Sequence, residues 1–375
     1  MSYQAKAAVV ATIGSQFVIE PVTVEEPRAD EVLVKIVAAG MCGTDLGVAG
    51  GHIPFRLPGV LGHEGAGIVE RVGDNVTSVA RGDKVLLSFT SCGVCRNCRF
   101  AHPAYCDEFL PRNLLGGRRP DGSTPIRSQT GELNAHFFAQ SSFSTLAIAD
   151  ERGVTKVDDD ADLALLAPLG CGIQTGAGAV LNILKPTPGT SIVVFGAGAV
   201  GMAAIMAAAL SGATMIVAVD VVKSRLELAM SVGGTHIVDP ADEDTAQRIS
   251  TLTDGRGVDY AIDATGNSEV LATAIRSLAP LGTVAVIGAP SAGTTVDVDV
   301  NFILNGRTIV AVTEGDSVPQ EFLPALAKLV AEGRFPLERL IRRYPFENIN
   351  EAARGIRDGS VLKPVLMFGD SNLPG

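Results

Sequence analysis

The sequence predicts an α/β protein of two domains, in which a doubly wound parallel sheet is joined to a β-rich domain that carries a small metal lobe. Three observations predict it. Residues from about 172 to 308 alternate short apolar runs with helical stretches, as parallel strands joined by crossover helices do. Residues before about 165 are rich in Val, Gly and short alternating runs with tight turns. Within that first region, Cys92, Cys95, Cys98 and Cys106 stand close together. A chain of 375 residues is too long for one ordinary core, and its 46% hydrophobic content is enough to fill two.

Taken in order, Glu31 to Val37 reads as a strand and Val72-Gly73-Asp74-Asn75 as a turn. In the middle region, strands are expected at 191–195, 215–219, 259–263 and 283–288, with helices at 200–211 and 223–232 between them. The last region reads as a helix near 320–332, a strand near 340–344, a helix near 348–357 and a strand from Lys363 to Phe368. The expected domains are therefore 1–171, 172–308 and a segment 309–375 that completes the first.

Charge and composition narrow the partners. Thirty basic against 41 acidic residues leave a net charge of −11. Such a chain repels phosphate backbones, so nucleic acid is not expected. Residues Met1 to Lys6 do not read as a signal peptide, and cysteines in metal spacing favour a reducing cytoplasm. The stretch Pro186 to Val219 has no charged residue, which hydropathy alone would read as a membrane span. Glycines interrupt it, however, and Ser191 to Phe195 and Met215 to Val219 read as buried parallel strands, so no membrane is expected.

Three motifs carry chemistry. Gly196-Ala197-Gly198-Ala199-Val200-Gly201 is a G-x-G-x-x-G between a strand and a helix, the Rossmann fingerprint for a dinucleotide. Gly196 permits the tight turn, Gly198 lets the backbone approach a pyrophosphate, and Gly201 lets helix and strand pack closely. Asp220 follows 19 residues after Gly201, where an acid bonds the adenosine ribose and repels a 2′-phosphate. This favours NAD over NADP, although Lys223 and Arg225 soften the preference.

The four clustered cysteines form a C-x2-C-x2-C-x7-C run, able to close a tetrahedral shell around one Zn²⁺. The spacing alone also admits a zinc finger or an iron–sulfur site. The remaining two, Cys42 and Cys171, bracket His63-Glu64. Cys, His and Cys leave a fourth zinc position open, which is the mark of a catalytic site. Asp45 is placed to orient the His63 imidazole, and Glu64 to approach the metal from the far side. Zinc there would act as a Lewis acid on an alcohol oxygen.

With these residues in view, the chain resembles the zinc-dependent medium-chain alcohol dehydrogenases over essentially its whole length. Within them it is most similar to the aryl-alcohol branch, on the stretches Pro168 to Gly176 and Glu314 to Gln320. The resemblance implies a GroES-like catalytic domain, a structural zinc on the four cysteines, and a catalytic zinc on Cys42, His63 and Cys171 with Glu64 beside it. It implies that Thr44 bonds the alcohol, Thr175 packs on the nicotinamide, Lys363 lies near the pyrophosphate, and Phe89 and Phe137 line the pocket. NAD, two zinc ions per subunit, an alcohol or aldehyde substrate and a homodimer or homotetramer complete the expectation.

Two positions depart from many relatives. Gly47 stands where a proton-passing His is common, and Gly43 where a basic residue is common. The expected proton path is therefore the Thr44 hydroxyl to the ribose hydroxyl to water, with His52 as the nearby imidazole alternative. The expected reaction is hydride transfer between a primary aryl or allylic alcohol and NAD. Terpenoid, long-chain or secondary alcohols form the second enzymatic reading, and a non-enzymatic NAD- or zinc-binding regulator forms a reading of another class. Zinc-free quinone reductases share the fold but lack Cys42, His63 and Cys171.

Overall fold

The computed structural model describes residues 2–129 and 131–369. It divides into two compact units, one of residues 1–171, 318–332 and 337–375, the other of residues 172–317 and 333–336.

The first unit is built on the strand Glu31–Gly40, a ten-residue run buried along nearly its whole length. Both of its faces are covered, so it reads as a continuous apolar stretch. It pairs antiparallel with Glu64–Val72, Leu146–Asp150 and Lys363–Met367. Lys84–Leu87, Val154–Lys156 and Ile341–Pro345 extend that sheet to seven strands. A second, five-stranded sheet includes the paired strands Ser2–Val10 and Phe17–Glu25. Gly40 faces Glu64 on one side and Val365 on the other. That register brings distant parts of the chain to one strand end. The helices Pro319–Ala331 and Ile349–Arg357 and the strand Lys363–Met367 match the C-terminal expectation within a residue or so.

The second unit is one parallel sheet of six strands. In spatial order they are His236–Val238, Met215–Val219, Ser191–Phe195, Val258–Asp263, Leu278–Val286 and Thr308–Ala311. Numbered along the chain, this order is the doubly wound 3-2-1-4-5-6, with its switch point beside Ser191–Phe195. Two strands were not expected from the sequence. His236–Val238 has only three residues, and Thr308–Ala311 is a short, largely exposed edge strand. Because Thr308–Ala311 pairs with Leu278–Val286, this domain ends at Ser317 rather than at 308. The uncharged run is explained by the helix Ala199–Leu210, in which every residue from Gly201 to Ala208 is buried. Among the described residues no single helix is long and apolar enough to cross a membrane.

Candidate active site and metal centres

The first unit gathers Cys42, His63, Glu64 and Cys171, whose donor atoms all lie within 4.8 Å of one another. Cys42 caps the helix Gly43–Ala49, and Asp45 in its first turn holds three points at once. Asp45 Oδ2 accepts from the Cys42 N–H at 2.9 Å, and Asp45 Oδ1 accepts from the Gly62 N–H at 3.0 Å. The same Oδ1 lies 3.0 Å from His63 Nδ1. With Nδ1 engaged by a carboxylate, the lone pair of His63 Nε2 is the one left for a cation. That nitrogen is buried without a hydrogen-bond partner, so its lone pair is available to a metal ion.

Glu64 is enclosed by the sheet register. A Cβ on Gly40 would lie 2.1 Å from Glu64 Oε2, so only glycine leaves room for the carboxylate. Lys363 Nζ donates to Glu64 Oε1 at 2.8 Å, to Glu64 Oε2 at 2.9 Å and to the Met41 carbonyl at 3.3 Å. These bonds fix Lys363 beside Glu64, a placement that its sequence position alone did not predict. Its ammonium is 2% exposed and satisfied inside the first unit, at the foot of the metal group. Burial opposes that charge, but the Glu64 carboxylate outweighs it and keeps the ammonium protonated. Cys42 is held well below the ordinary thiol range, first by hydrogen bonding with Cys171 and then, against burial, by the Lys363 charge. Burial disfavours a charged His63, yet Asp45 overcomes it and raises the imidazole well above its ordinary value. Two thiols, an imidazole and a carboxylate converging in this way fit a zinc ion.

Other expected site residues divide. Thr44 Oγ1 lies 3.7 Å from Cys42 Sγ, on the metal group. The Phe137 ring meets the His63 ring edge-on at 5.3 Å. Phe89 is buried against Phe109 at 5.8 Å and has no ring contact with His63 among the described residues. His52 is exposed in the turn after the helix Gly43–Ala49. A Cβ at Gly47 would sit 3.0 Å from Ile53 Cδ1, so a side chain there would need the Ile53 side chain to shift slightly. Sequence reasoning missed Phe138, stacked on His63 at 4.5 Å and 25°, and Gln140, bonded to the His63 carbonyl. Nothing in the run Phe137 to Ser142 marks these two beforehand.

The four-cysteine group is self-contained. Its sulfurs lie within 4.8 Å of one another, with Cys95 and Cys98 only 3.4 Å apart, and all are free thiols. Backbone N–H groups already point at them, from Cys95 to Cys92 Sγ at 3.3 Å and from Glu108 to Cys106 Sγ at 3.4 Å. A hydrogen bond with the Cys98 backbone leads in drawing Cys95 down to about 6, and burial pushes Cys106 up to about 12. The donor set fits a closed, structural zinc site.

In the second unit the fingerprint takes its expected form. Gly196 has φ +90°, and a Cβ on Gly201 would lie 1.8 Å from the Gly196 carbonyl oxygen. A Cβ on Gly198 would meet nothing within 4 Å, leaving open space at the N-terminus of the helix Ala199–Leu210, where N–H groups and the helix dipole favour a pyrophosphate. Ala199 and Val200 form the first helical positions. Asp220 Oδ2 accepts from the Ala197 N–H at 2.7 Å and Oδ1 from the Val222 N–H at 2.9 Å. Its carboxylate thus lines a cavity of about 520 Å³ with Gly196, Gly198, Thr265 and Arg225, whose guanidinium is 3.8 Å away. Thr175 lies on the helix Gly172–Gly178, which packs so tightly on the fingerprint helix that a Cβ on Gly176 would be 2.0 Å from the Val200 carbonyl oxygen. The stretches around Gln174 and Glu314 meet here, with Ser317 Oγ donating to Gln174 Oε1 at 2.9 Å.

A dinucleotide-type sheet together with a thiol, imidazole and carboxylate donor set defines a metal-dependent dehydrogenase. Residues 28–159 match the alcohol dehydrogenase GroES-like domain, and residues 199–332 match the zinc-binding dehydrogenase domain. The chain belongs to the zinc-dependent medium-chain alcohol dehydrogenases. It is 43% identical to geraniol dehydrogenase of Castellaniella defragrans, over 97% of this chain and 98% of that protein. The crystal structure of benzyl alcohol dehydrogenase from Acinetobacter calcoaceticus superposes with a TM-score of 0.94 at 46% identity, covering 98% of this chain and all of that one. An alcohol dehydrogenase zinc-binding domain protein from Burkholderia ambifaria gives a TM-score of 0.96 at 50% identity, covering 99% of this chain and 100% of that chain.

Proposed function

We propose that this protein interconverts primary aryl or allylic alcohols and their aldehydes, with NAD as the hydride carrier. The observation that carries the reading is the group of Cys42, His63, Glu64 and Cys171 with two phenylalanine rings, Phe137 and Phe138, against His63. Apolar rings beside the donor set favour a flat, unsaturated substrate, whose burial contributes roughly 25 cal/mol per Å². The relatives named for benzyl alcohol and geraniol both act on an alcohol of that kind.

When bound, zinc makes an alcohol hydroxyl more acidic and the oxidised nicotinamide accepts a hydride. In this reading Cys42, His63 and Cys171 hold the metal, with Glu64 in reach of it, and Asp45 keeps the imidazole turned so that Nε2 faces inward. The Thr44 hydroxyl receives the alcohol proton and passes it outward, since position 47 holds Gly rather than an imidazole. Thr175 supports the nicotinamide. Asp220 bonds the adenosine ribose and disfavours a 2′-phosphate, with Arg225 beside it tempering that preference. The four cysteines from Cys92 to Cys106 hold a second zinc that stabilises the fold.

The same reading includes self-association. The edge strand Thr308–Ala311, with Leu281, Val300 and Leu304 exposed nearby, offers a sheet edge for a second copy. Free thiols in metal spacing suit a reducing compartment such as the cytoplasm.

The test is kcat/KM for benzyl alcohol, geraniol, decanol and ethanol, each with NAD⁺ and NADP⁺, on zinc-replete protein. Preference for benzyl alcohol or geraniol with NAD⁺ is expected. Activity on decanol alone would replace the substrate class, and NADP⁺ preference would overturn the role of Asp220. A terpenoid specificity is the second reading, favoured by the geraniol dehydrogenase relative. Inert protein with both zinc sites filled would favour a binding-only role.

A further inference from the structure

A turn of left-handed residues closes behind His63. Phe138, Ala139 and Ser141 have φ of 50°, 51° and 48°. Residues with a Cβ enter that region at a cost, and three within four positions need a surrounding structure that enforces them. The enforcement is local. Ser141 Oγ accepts from the Phe137 N–H at 2.9 Å and donates to the Val60 carbonyl at 2.6 Å. The Ser141 N–H returns to the Phe137 carbonyl at 2.9 Å, and the Ser142 N–H reaches the Gly62 carbonyl at 2.9 Å.

The turn delivers one buried side-chain amide. Gln140 Nε2 donates to the carbonyls of His63 and Ser88, both at 3.1 Å, and Gln140 Oε1 accepts from the Gly65 N–H at 3.1 Å. It therefore grips the backbone on both sides of Glu64. Ser88 carries the link onward, because its Oγ donates to the Gly170 carbonyl at 2.6 Å, one residue before Cys171. Two side chains thus tie the segment of His63 to the segment of Cys171. Only an amide supplies both donors and an acceptor of this reach. A carboxylate would face two carbonyl oxygens, and a thioether would lose all three of these hydrogen bonds.

We propose that Gln140, held by the left-handed turn and extended through Ser88, is a positioning residue that sets the spacing of the His63 and Cys171 donor atoms around the metal. The proposal rests on the zinc reading of that group. It differs from a purely structural role in its target, which is one metal site and not the stability of the fold at large.

The experiment uses the full-length, two-zinc protein. Zinc release to a chromophoric chelator is followed for each site, and Co²⁺ is placed in the Cys42, His63 and Cys171 site to read its ligand-field bands. Gln140→Met is expected to release that zinc about 10-fold faster or more. Its Co²⁺ bands shift, while release from the four-cysteine group stays unchanged. Ser88→Ala, which removes the Oγ bond to Gly170, shows a smaller change at the same site, and it carries the test if Gln140→Met does not fold. Native release and native Co²⁺ bands in the variants overturn the proposal, even if the melting temperature falls. Equal acceleration at both sites also overturns it, as general loosening. A wild-type protein that takes zinc only on Cys92, Cys95, Cys98 and Cys106 overturns the metal reading itself, and the proposal with it.

Discussion

The two metal groups of this chain are built on opposite plans. The four-cysteine group draws every sulfur from the short run between Cys92 and Cys106, and its N–H···S bonds come from that run and from Glu108 just after it. The other group takes its donors from Cys42, His63, Glu64 and Cys171, and its counter-charge from Lys363. The first can take shape from local chain geometry alone. The second exists only when strands from remote parts of the sequence are in register. A local site is robust and chemically quiet, whereas an assembled one can be tuned by each element that reaches it.

The largest expected effect falls on the assembled site. If the proposed zinc sits on Cys42, His63 and Cys171, Cys171→Ser should lower kcat/KM by roughly 1,000-fold or more, because the metal's Lewis acidity would be lost with it. Dinucleotide binding, followed by fluorescence, should be unchanged because the fingerprint lies in the other unit. Full activity in this variant would break the comparison outright.

Lys363→Met comes next. It strands a fully buried Glu64 carboxylate, and removing one partner of a buried pair costs about 3–5 kcal/mol. Denaturant unfolding should show that loss, and Lys363→Arg should recover part of it. A stability within 1 kcal/mol of wild type, on the scale expected for exposed pairs, would mean the pair is not sealed off from solvent.

Asp45→Asn keeps the shape of the cap but weakens the hold on His63 Nδ1. A loss of about 10–100-fold in zinc affinity at that site, or in activity, is expected. Competition with a chelator of known affinity measures it. No change would reduce Asp45 to a helix cap.

The smallest catalytic effect is expected in the local site. Cys106→Ser should lower the melting temperature by several degrees, a shift on the order of 4–8 °C per kcal/mol in a small domain and less in a chain of this size. Turnover per zinc remaining in the other group should stay within about twofold of wild type, since the lobe supplies folding energy and no chemistry. A large fall in that corrected turnover would erase the division between the two plans.

The same division governs what could be read in advance. The four cysteines and the Gly196 to Gly201 fingerprint were legible because spacing along the chain is what makes them work. The strands 191–195 and 215–219 were legible because both faces are buried and the run is apolar throughout. The contact of Lys363 with Glu64 was not legible because it depends on the pairing of Val365 with Gly40, and no local pattern records that pairing. Thr308–Ala311 was missed because a mostly apolar run of four residues is too short to tell a strand from a buried turn or helix end. Gln140 and Phe138 were invisible for a third reason: both sit in a turn shaped by the positive φ of Phe138, Ala139 and Ser141, which carries no sequence marker and is held by neighbours such as Val60 and Gly62.

The pairing of Lys363–Met367 with Glu31–Gly40 also imposes an order in time. On a ribosome the lobe from Cys92 to Cys106 can close on zinc while most of the chain is still unmade. Glu64 must wait for a strand some 300 residues further on before its charge is answered, and domains built early stay incomplete until then. A nascent chain would therefore acquire its stabilising metal long before the reactive one could be seated, and a truncated product would carry a finished lobe beside an unfinished catalytic centre.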